Sequence, residues 1–490
     1  HKMAIRDLDG DVLSHVLGFV PGDKIALLEQ VNKAWRSLLA EPGLWLRLVA
    51  TEQLLPDWNA EDGDRPESGL DLASLKALYH QKRILKDAAR GRWQRVLLDR
   101  EGIDAREMHT MTELTAHGLL IIYAGWTRMQ GPVDDILGIY TRDLPAAEPR
   151  PCRPAEGFIF EIQPAGARPI SVYGHTATAI SPEEMLILGG MEMGGYRGET
   201  DDLIFARWDV RTNRLLLRRV ETNGDFVARG FHSAAWIPPR RTTSTPSHAH
   251  DGVVVVFGGN ADMEPLAELQ LFCPKTLTWS SPPTSGVTPP PRNSHSSVTV
   301  GGKVIIAGGG DGGPMFPLRG NDLVDMHVLD IDTLTWTEVM LPDLCQGSFG
   351  RNHTATTLGR STVLYLFGGH PPTNTGLVYE TETETFRPAQ IQGRTPIPRQ
   401  AHSACVVGAS VLVYGGMNHG PRGDMHFIRL AGRGTSPRPP WGEDGLRGDS
   451  EEDDGEDEEE EEEDDDDSFT EQRARAIMQF LVMSRGFSAV

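Results

Sequence analysis

Five arginines stand at a repeated distance from a histidine. Arg106, Arg229, Arg292 and Arg399 lie three residues before His109, His232, His295 and His402, and Arg351 lies two before His353. A guanidinium presents a planar fork of donors that grips a carboxylate through paired hydrogen bonds, so a set of equivalent arginines is chemistry for recognising an acidic group. The histidines, with His175 as a sixth, are 49 to 66 residues apart. That spacing does not suit a shared metal, and their expected role is to satisfy backbone groups inside each repeat. Other apparent motifs fail on context. Gly308-Gly309-Gly310-Asp311-Gly312-Gly313 spells GxGxxG, yet Pro314 and a loop follow where a phosphate-binding helix must begin. Asp7, Asp9 and Asp11 are spaced like the start of a calcium loop, but Val12 replaces the required glycine and Gly18 the bidentate glutamate. No HExxH, GxSxG or Walker sequence occurs. The expectation is therefore a non-catalytic protein with no metal and no cofactor, whose chemistry is recognition.

The elements that must hold these groups are strands. Each histidine is followed, 13 to 26 residues on, by an apolar run ending in glycine: Met185-Leu186-Ile187-Leu188-Gly189-Gly190, Val253 to Gly259, Val304 to Gly309, Val363 to Gly369, Val411 to Gly416 and, as a worn copy, Leu119 to Gly125. Runs of four or five continuous apolar residues suit strands buried on both faces. A half-polar strand then opens at Asp202-Leu203, Glu268-Leu269, Asp322-Leu323 and Asp424-Met425, and an aromatic on an outermost strand closes the unit at Trp279, Trp336 and Phe386. Four short strands make a blade, and six blades close into a propeller. The last copy stops at His426-Phe427-Ile428-Arg429-Leu430 without an outermost strand. Gly91-Arg92-Trp93-Gln94-Arg95-Val96 reads as that missing strand, closing the ring non-covalently and removing an open sheet edge. The pattern of His, Gly-Gly, acidic-Leu and Trp resembles the Kelch repeat over residues 92–431.

The resemblance implies a task for the arginines. Equivalent positions of a closed propeller face one end, and in Kelch domains that capture acidic peptides the arginines just before the innermost strand contact the ligand. Arg106, Arg229, Arg292, Arg351 and Arg399 are therefore expected to ring one mouth and bind a target protein through an acidic segment. The alternative is that they bridge neighbouring blades.

A different pattern precedes the repeats. Asp7 can cap a helix carrying Leu8, Val12, Leu13, Val16, Leu17 and Val20 at helical spacing, ended by Pro21-Gly22. A second helix runs from Asp23 through Leu27, Leu28, Val31, Trp35, Leu38 and Leu39 to Pro42-Gly43. So short a module buries little surface alone, and its apolar stripes need a partner. Leu-Asp-Gly-Asp-Val-Leu, Val-Leu-Gly-Phe-Val-Pro and Val-Asn-Lys-Ala-Trp-Arg-Ser-Leu together resemble an F-box, with Leu8-Asp9 where the family usually has Leu-Pro. The resemblance implies that Leu8, Val12, Leu13, Val16, Leu17, Pro21, Leu27, Val31 and Trp35 include the face that docks a Skp-type adaptor and, through it, a cullin.

Charge divides the rest. The net charge of −22 is concentrated in 451–454 and 456–467, which hold 16 carboxylates; removing them from the 69 acidic residues leaves 53 against 47 basic, a balance of −6. Such a run cannot collapse, which argues for disorder and offers no basic surface to nucleic acid. No apolar stretch approaches 18 residues, so neither a membrane span nor a secretory leader is expected. Cys152, Cys273, Cys345 and Cys405 lack CxxC spacing and read as reduced thiols of a cytoplasmic or nuclear protein. The expected organisation is multidomain: an all-α F-box at 3–50, a helical linker at 51–91, an all-β six-bladed Kelch-type propeller at 92–431, a disordered acidic linker at 432–468, and a short helix or disordered tail at 469–490. The combination resembles the F-box/Kelch family and implies the substrate receptor of a Skp-cullin-F-box ubiquitin ligase. A Kelch-propeller enzyme or specifier protein and a cytoskeletal scaffold are the competing readings.

Overall fold

A computed structural model describes residues 90–96, 104–141, 159–192, 198–239, 251–262, 264–312, 320–345, 349–358, 361–368, 372–393, 395–408 and 410–430. All fall in the first of the two units into which the chain divides, 1–433 and 434–490. The adaptor-binding set from Leu8 to Trp35, the linker up to residue 89, and the acidic and terminal segments lie outside the described residues.

Six antiparallel sheets succeed one another along the chain. Their innermost strands are Thr110–Leu114, Thr176–Ala179, Ser233–Ile237, Ser296–Val300, Thr354–Leu358 and Ser403–Val407. Each neighbours the next, and the first neighbours the last, so the six sheets are the blades of a closed propeller. Closure is made by Arg90–Val96, which pairs antiparallel with Met425–Leu430 from Gly91 opposite Leu430 to Val96 opposite Met425. The missing outermost strand of the sixth blade thus comes from the other end of the repeats. It begins at Arg90, one residue before the expected Gly91 and two before the expected propeller boundary at 92. Segments joining one blade to the next add parallel edge strands, Gln163–Gly166 beside the second blade, Ser285–Gly286 beside the fourth and Gln390–Gln392 beside the sixth. Beside the fifth, a 3-10 turn at Asp343–Cys345 takes that place. These additions cover ladder edges that would otherwise invite pairing with another chain.

The core is not one mass but six layers, each between two neighbouring blades. Along Leu119–Tyr123, Leu119, Ile121 and Tyr123 pack against Met185, Ile187 and Trp208 of the second blade, while Leu120 and Ile122 pack against Leu412 and Phe427 of the sixth. Alternation with period two therefore sends both sides of a continuously apolar strand into dry layers, which is why the run needs no polar positions. Toward the outside the pattern changes. Arg214–Arg219 alternates buried Leu215 and Leu217 with exposed Arg214, Leu216 and Arg218.

Candidate functional site

The site is built at the ends of the innermost strands. All six repeat histidines are buried, and each joins its Nε2 to a hydroxyl on the preceding blade: His175 to Thr110, His232 to Thr176, His295 to Ser233, His353 to Ser296, His402 to Thr354 and His109 to Ser403, at 2.6 to 3.0 Å. The last bond completes a circuit around the axis. The expectation that the histidines satisfy backbone groups inside their own repeats is met by His353, whose Nδ1 bonds the Gly350 carbonyl at 2.6 Å, and is corrected for every Nε2, because the ring is long enough to cross to a hydroxyl of the neighbour. The signal was present, since every repeat histidine is followed directly by serine or threonine. Burial pushes the imidazoles down, His175 and His232 to about 3 and His353 to about 4, with His109, His295 and His402 also well below the ordinary value. The ring is neutral at physiological pH.

The glycine pairs make room for this circuit. At the third blade, a Cβ on Gly258 would sit 2.7 Å from Cε1 of His295 on the next blade, and one on Gly259 would sit 2.8 Å from Cβ of the blade's own His232. Both glycines have positive φ, 63° and 90°. In the fifth blade the pair is one residue early. Phe367, at φ 55°, takes the first place and stacks edge-on against His402 at 5.2 Å, and Gly368 takes the second against His353. The apparent dinucleotide motif at Gly308-Gly309 is the same device, facing His353 and His295.

A second circuit is made by the backbone. Met108, Gly174, Phe231, Ser294, Asn352 and Ala401, each just before its histidine, are all left-handed, with φ from 54° to 62°. Each donates its N–H to the carbonyl of its counterpart on the preceding blade, and Met108 donates to Ala401. Together with the histidines they line an axial cavity of about 140 Å³. Among the described residues no group of three or more His, Cys, Asp or Glu could hold a metal.

Arginines surround this collar, but they do not offer free forks. Arg106 binds Asp135 at 2.8 and 2.7 Å, Arg292 binds Asp325 at 2.6 and 2.7 Å, and Arg399 binds Asp424 at 2.8 and 2.7 Å, each bidentately. Arg229 reaches Glu268 at 2.6 Å and Gln270 at 2.8 Å. Each also donates to the carbonyl of the residue in the first glycine place, Ala124, Gly258, Gly308 or Gly415. Their own backbone carbonyls meanwhile accept from the second glycine of the preceding blade, Gly416, Gly190, Gly259 or Gly368. Arg351 turns instead to Asp322 of the fourth blade, at 2.7 Å. The first four arginines are thus clamps whose side chains lock the end of their own blade while their main-chain carbonyls hold the preceding one, and of the five only the Arg351 side chain crosses to a neighbour. Their expected contact with an acidic ligand is replaced by the protein's own carboxylates and carbonyls, because the groups that saturate a guanidinium lie closer in the fold than any ligand could. The third strand of the fourth blade opens at Met326 after Asp325, not at Leu323 after Asp322.

The clamps set the charge of the surface. Side-chain exposure is 0–4% for the five arginines but 21–37% for Asp135, Glu268, Asp322, Asp325 and Asp424. Cations are beneath and anions above. Burial alone would raise the Asp325 and Asp424 carboxyls; hydrogen bonds from Arg292 and His327, and from His426 and Arg399, outweigh it and hold both far below the usual carboxylate range. They stay ionised.

In each blade the first and third strands run one way and the second and fourth the other, so second-to-third and blade-to-blade connections meet at one end. This clamp face carries Met129, Val227, Val324, Met340 and Ile397, five of the nine large apolar side chains exposed among the described residues, while Val287 and Leu344 lie where the connections run along the outermost strands of the fourth and fifth blades. The remaining two, Val210 and Leu216, lie on the third-to-fourth turn and outer strand of the second blade.

Comparisons with known proteins agree with this architecture. Residues 156–369 match the family model described as the KLHDC2/KLHL20/DRC7 Kelch-repeats domain. The chain is 30% identical over 259 residues to acyl-CoA-binding domain-containing protein 4 of Arabidopsis thaliana, covering 52% of this chain and 36% of that protein. It is 31% identical over 202 residues to Kelch domain-containing protein 3 of Mus musculus, covering 37% of this chain and 48% of that one. The matched region thus spans between about a third and a half of these relatives.

Proposed function

We propose that this Kelch-repeat protein is the substrate receptor of a Skp-cullin-F-box ubiquitin ligase, holding a target protein on the clamp face of its propeller. The protein-binding part rests on one observation, the gathering of exposed apolar side chains on that face, since solvent-facing apolar groups collected on one side are characteristic of protein interaction surfaces. The ligase part rests on residues 3–50, whose two amphipathic helical patterns resemble an F-box and need a partner to cover them. The subunit itself is non-catalytic in this reading: the repeated arginines and histidines are engaged in holding blades together, and the complex works in the cytoplasm or nucleus.

Affinity purification tests both halves. The full chain should recover a Skp-type adaptor and a cullin, and a chain lacking 1–50, or carrying Leu13→Asp with Leu17→Asp, should lose both while keeping the target. Undiminished adaptor recovery by the double variant would overturn the ligase assignment. Loss of the target from the shortened chain would overturn the assignment of target binding to the propeller.

A further inference from the structure

We propose that the clamp face recognises a cationic segment of its partner, one that carries lysine or arginine among apolar residues. This rests on the protein-binding reading of that face and specifies its ligand class. The arginine count suggests the opposite polarity, and burial reverses it: every clamp hides its guanidinium and leaves part of its carboxylate toward solvent. A neutral collar of imidazoles lies between them, so the centre of the face contributes no compensating positive charge. Farther out, this face exposes Asp134, Glu192, Asp201, Glu221, Asp225 and Glu264, against exposed Arg128, Arg168 and Arg219 among the described residues, the last of these already paired with Asp202. Apolar side chains stand among these carboxylates, Val227 between Asp225 and the Arg229 clamp and Val324 beside Asp325. A partner segment covering Val227 or Val324 would therefore bring its flanking residues over carboxylates. Acidic flanks would be repelled there, and basic flanks would be both steered in and paired.

The test uses the full chain and three 14-residue peptides with identical leucine and valine positions, the others filled by Lys and Arg, by Ser and Gln, or by Glu and Asp. Binding is measured by fluorescence anisotropy at low salt for the wild type, for Glu221→Lys with Glu264→Lys on the clamp face, and for Glu382→Lys with Glu384→Lys on the opposite face. Both variants change net charge equally, so attraction to the acidic segment at 451–467 is common to all arms. The cationic peptide should bind the wild type, lose about tenfold in affinity to the clamp-face variant, and change less than about twofold on the opposite-face variant. Equal loss on both variants, or tighter binding of the neutral or acidic peptide, would overturn the cationic assignment. A clamp-face-dependent neutral peptide would do so while leaving the protein-binding reading intact. Absence of binding by every peptide, with all three proteins folded by circular dichroism, would also overturn it, and the purification experiment would then judge the reading on its own.

Discussion

In the sixth blade Arg399 grips Asp424 with two bonds and the Gly415 carbonyl with a third, whereas in the fifth blade Arg351 turns back to Asp322 of the fourth through a single Nε contact to its carboxylate. The cause lies across the blade. Thr375 stands in the fifth blade where Asp424 stands in the sixth, one residue before the partner of the last second-strand position. Without a carboxylate there, an arginine three before the histidine would be a buried cation with no counter-charge; that place is held by Gly350, and the arginine is displaced by one. The second blade shows the converse, with Val172 in the arginine place and Asp202 paired instead to Arg219 at 3.0 Å. The clamp needs both members, and where one is missing the other pairs elsewhere, Asp202 with Arg219 and Arg351 with Asp322, while the histidine circuit continues through all blades regardless.

Acid should disturb what the two blades share more than any single substitution. Unfolded histidines take up protons near 6.5, whereas the ring histidines resist until about 3 to 4, so stability is complete above about 6.5 and is lost as pH falls through that window. Each such imidazole contributes up to about 1.4 kcal/mol per pH unit. Urea midpoints should fall steadily from pH 7 to pH 5, and a flat profile would refute a buried neutral ring. The Asp424 pair should add a loss only below the ordinary carboxyl value of 3.8. By NMR, His353 should titrate above His175 and His232, since a 2.6 Å bond from its Nδ1 to the Gly350 carbonyl favours its charged form.

Asp424→Ala strands Arg399 and should cost about 3 to 5 kcal/mol in denaturant unfolding. Asp322→Ala, removing one contact from Arg351, should cost about half as much; equal losses would mean that the two clamps are equivalent. Gly415→Ala is next. Its Cβ would lie 2.6 Å from the Arg106 carbonyl and 2.8 Å from His109 Cε1 at φ 66°, for about 2 kcal/mol. Ala124 already occupies the same place in the first blade, and Ala124→Gly should stay within about 1 kcal/mol. The smallest contrast concerns the hydroxyls. Ser403→Ala leaves His109 with neither ring nitrogen bonded and should cost about 2 kcal/mol, whereas Ser296→Ala leaves His353 its Gly350 bond and should cost about 1 kcal/mol.

Strand positions, repeat number and ring closure were legible in the chain because they follow from local pattern: apolar runs of constant length, glycine after each, and one orphan strand matching one incomplete copy. The blade joints were only partly legible. The His-Ser and His-Thr dipeptides mark the circuit once its geometry is known, but the bond from His109 reaches Ser403, 294 residues away. In the fourth blade Asp322-Leu323-Val324-Asp325 offers two carboxylates, and register alone assigns Asp325 to Arg292 and Asp322 to Arg351. Sequence by itself thus determined that arginines and carboxylates recur at fixed places in the repeats. Which of them meets solvent was decided only by tertiary structure, because a guanidinium such as Arg292 or Arg399 is buried only when folding of its sheet brings a glycine-place carbonyl and a carboxylate, 16 to 33 residues away in the chain, onto it together.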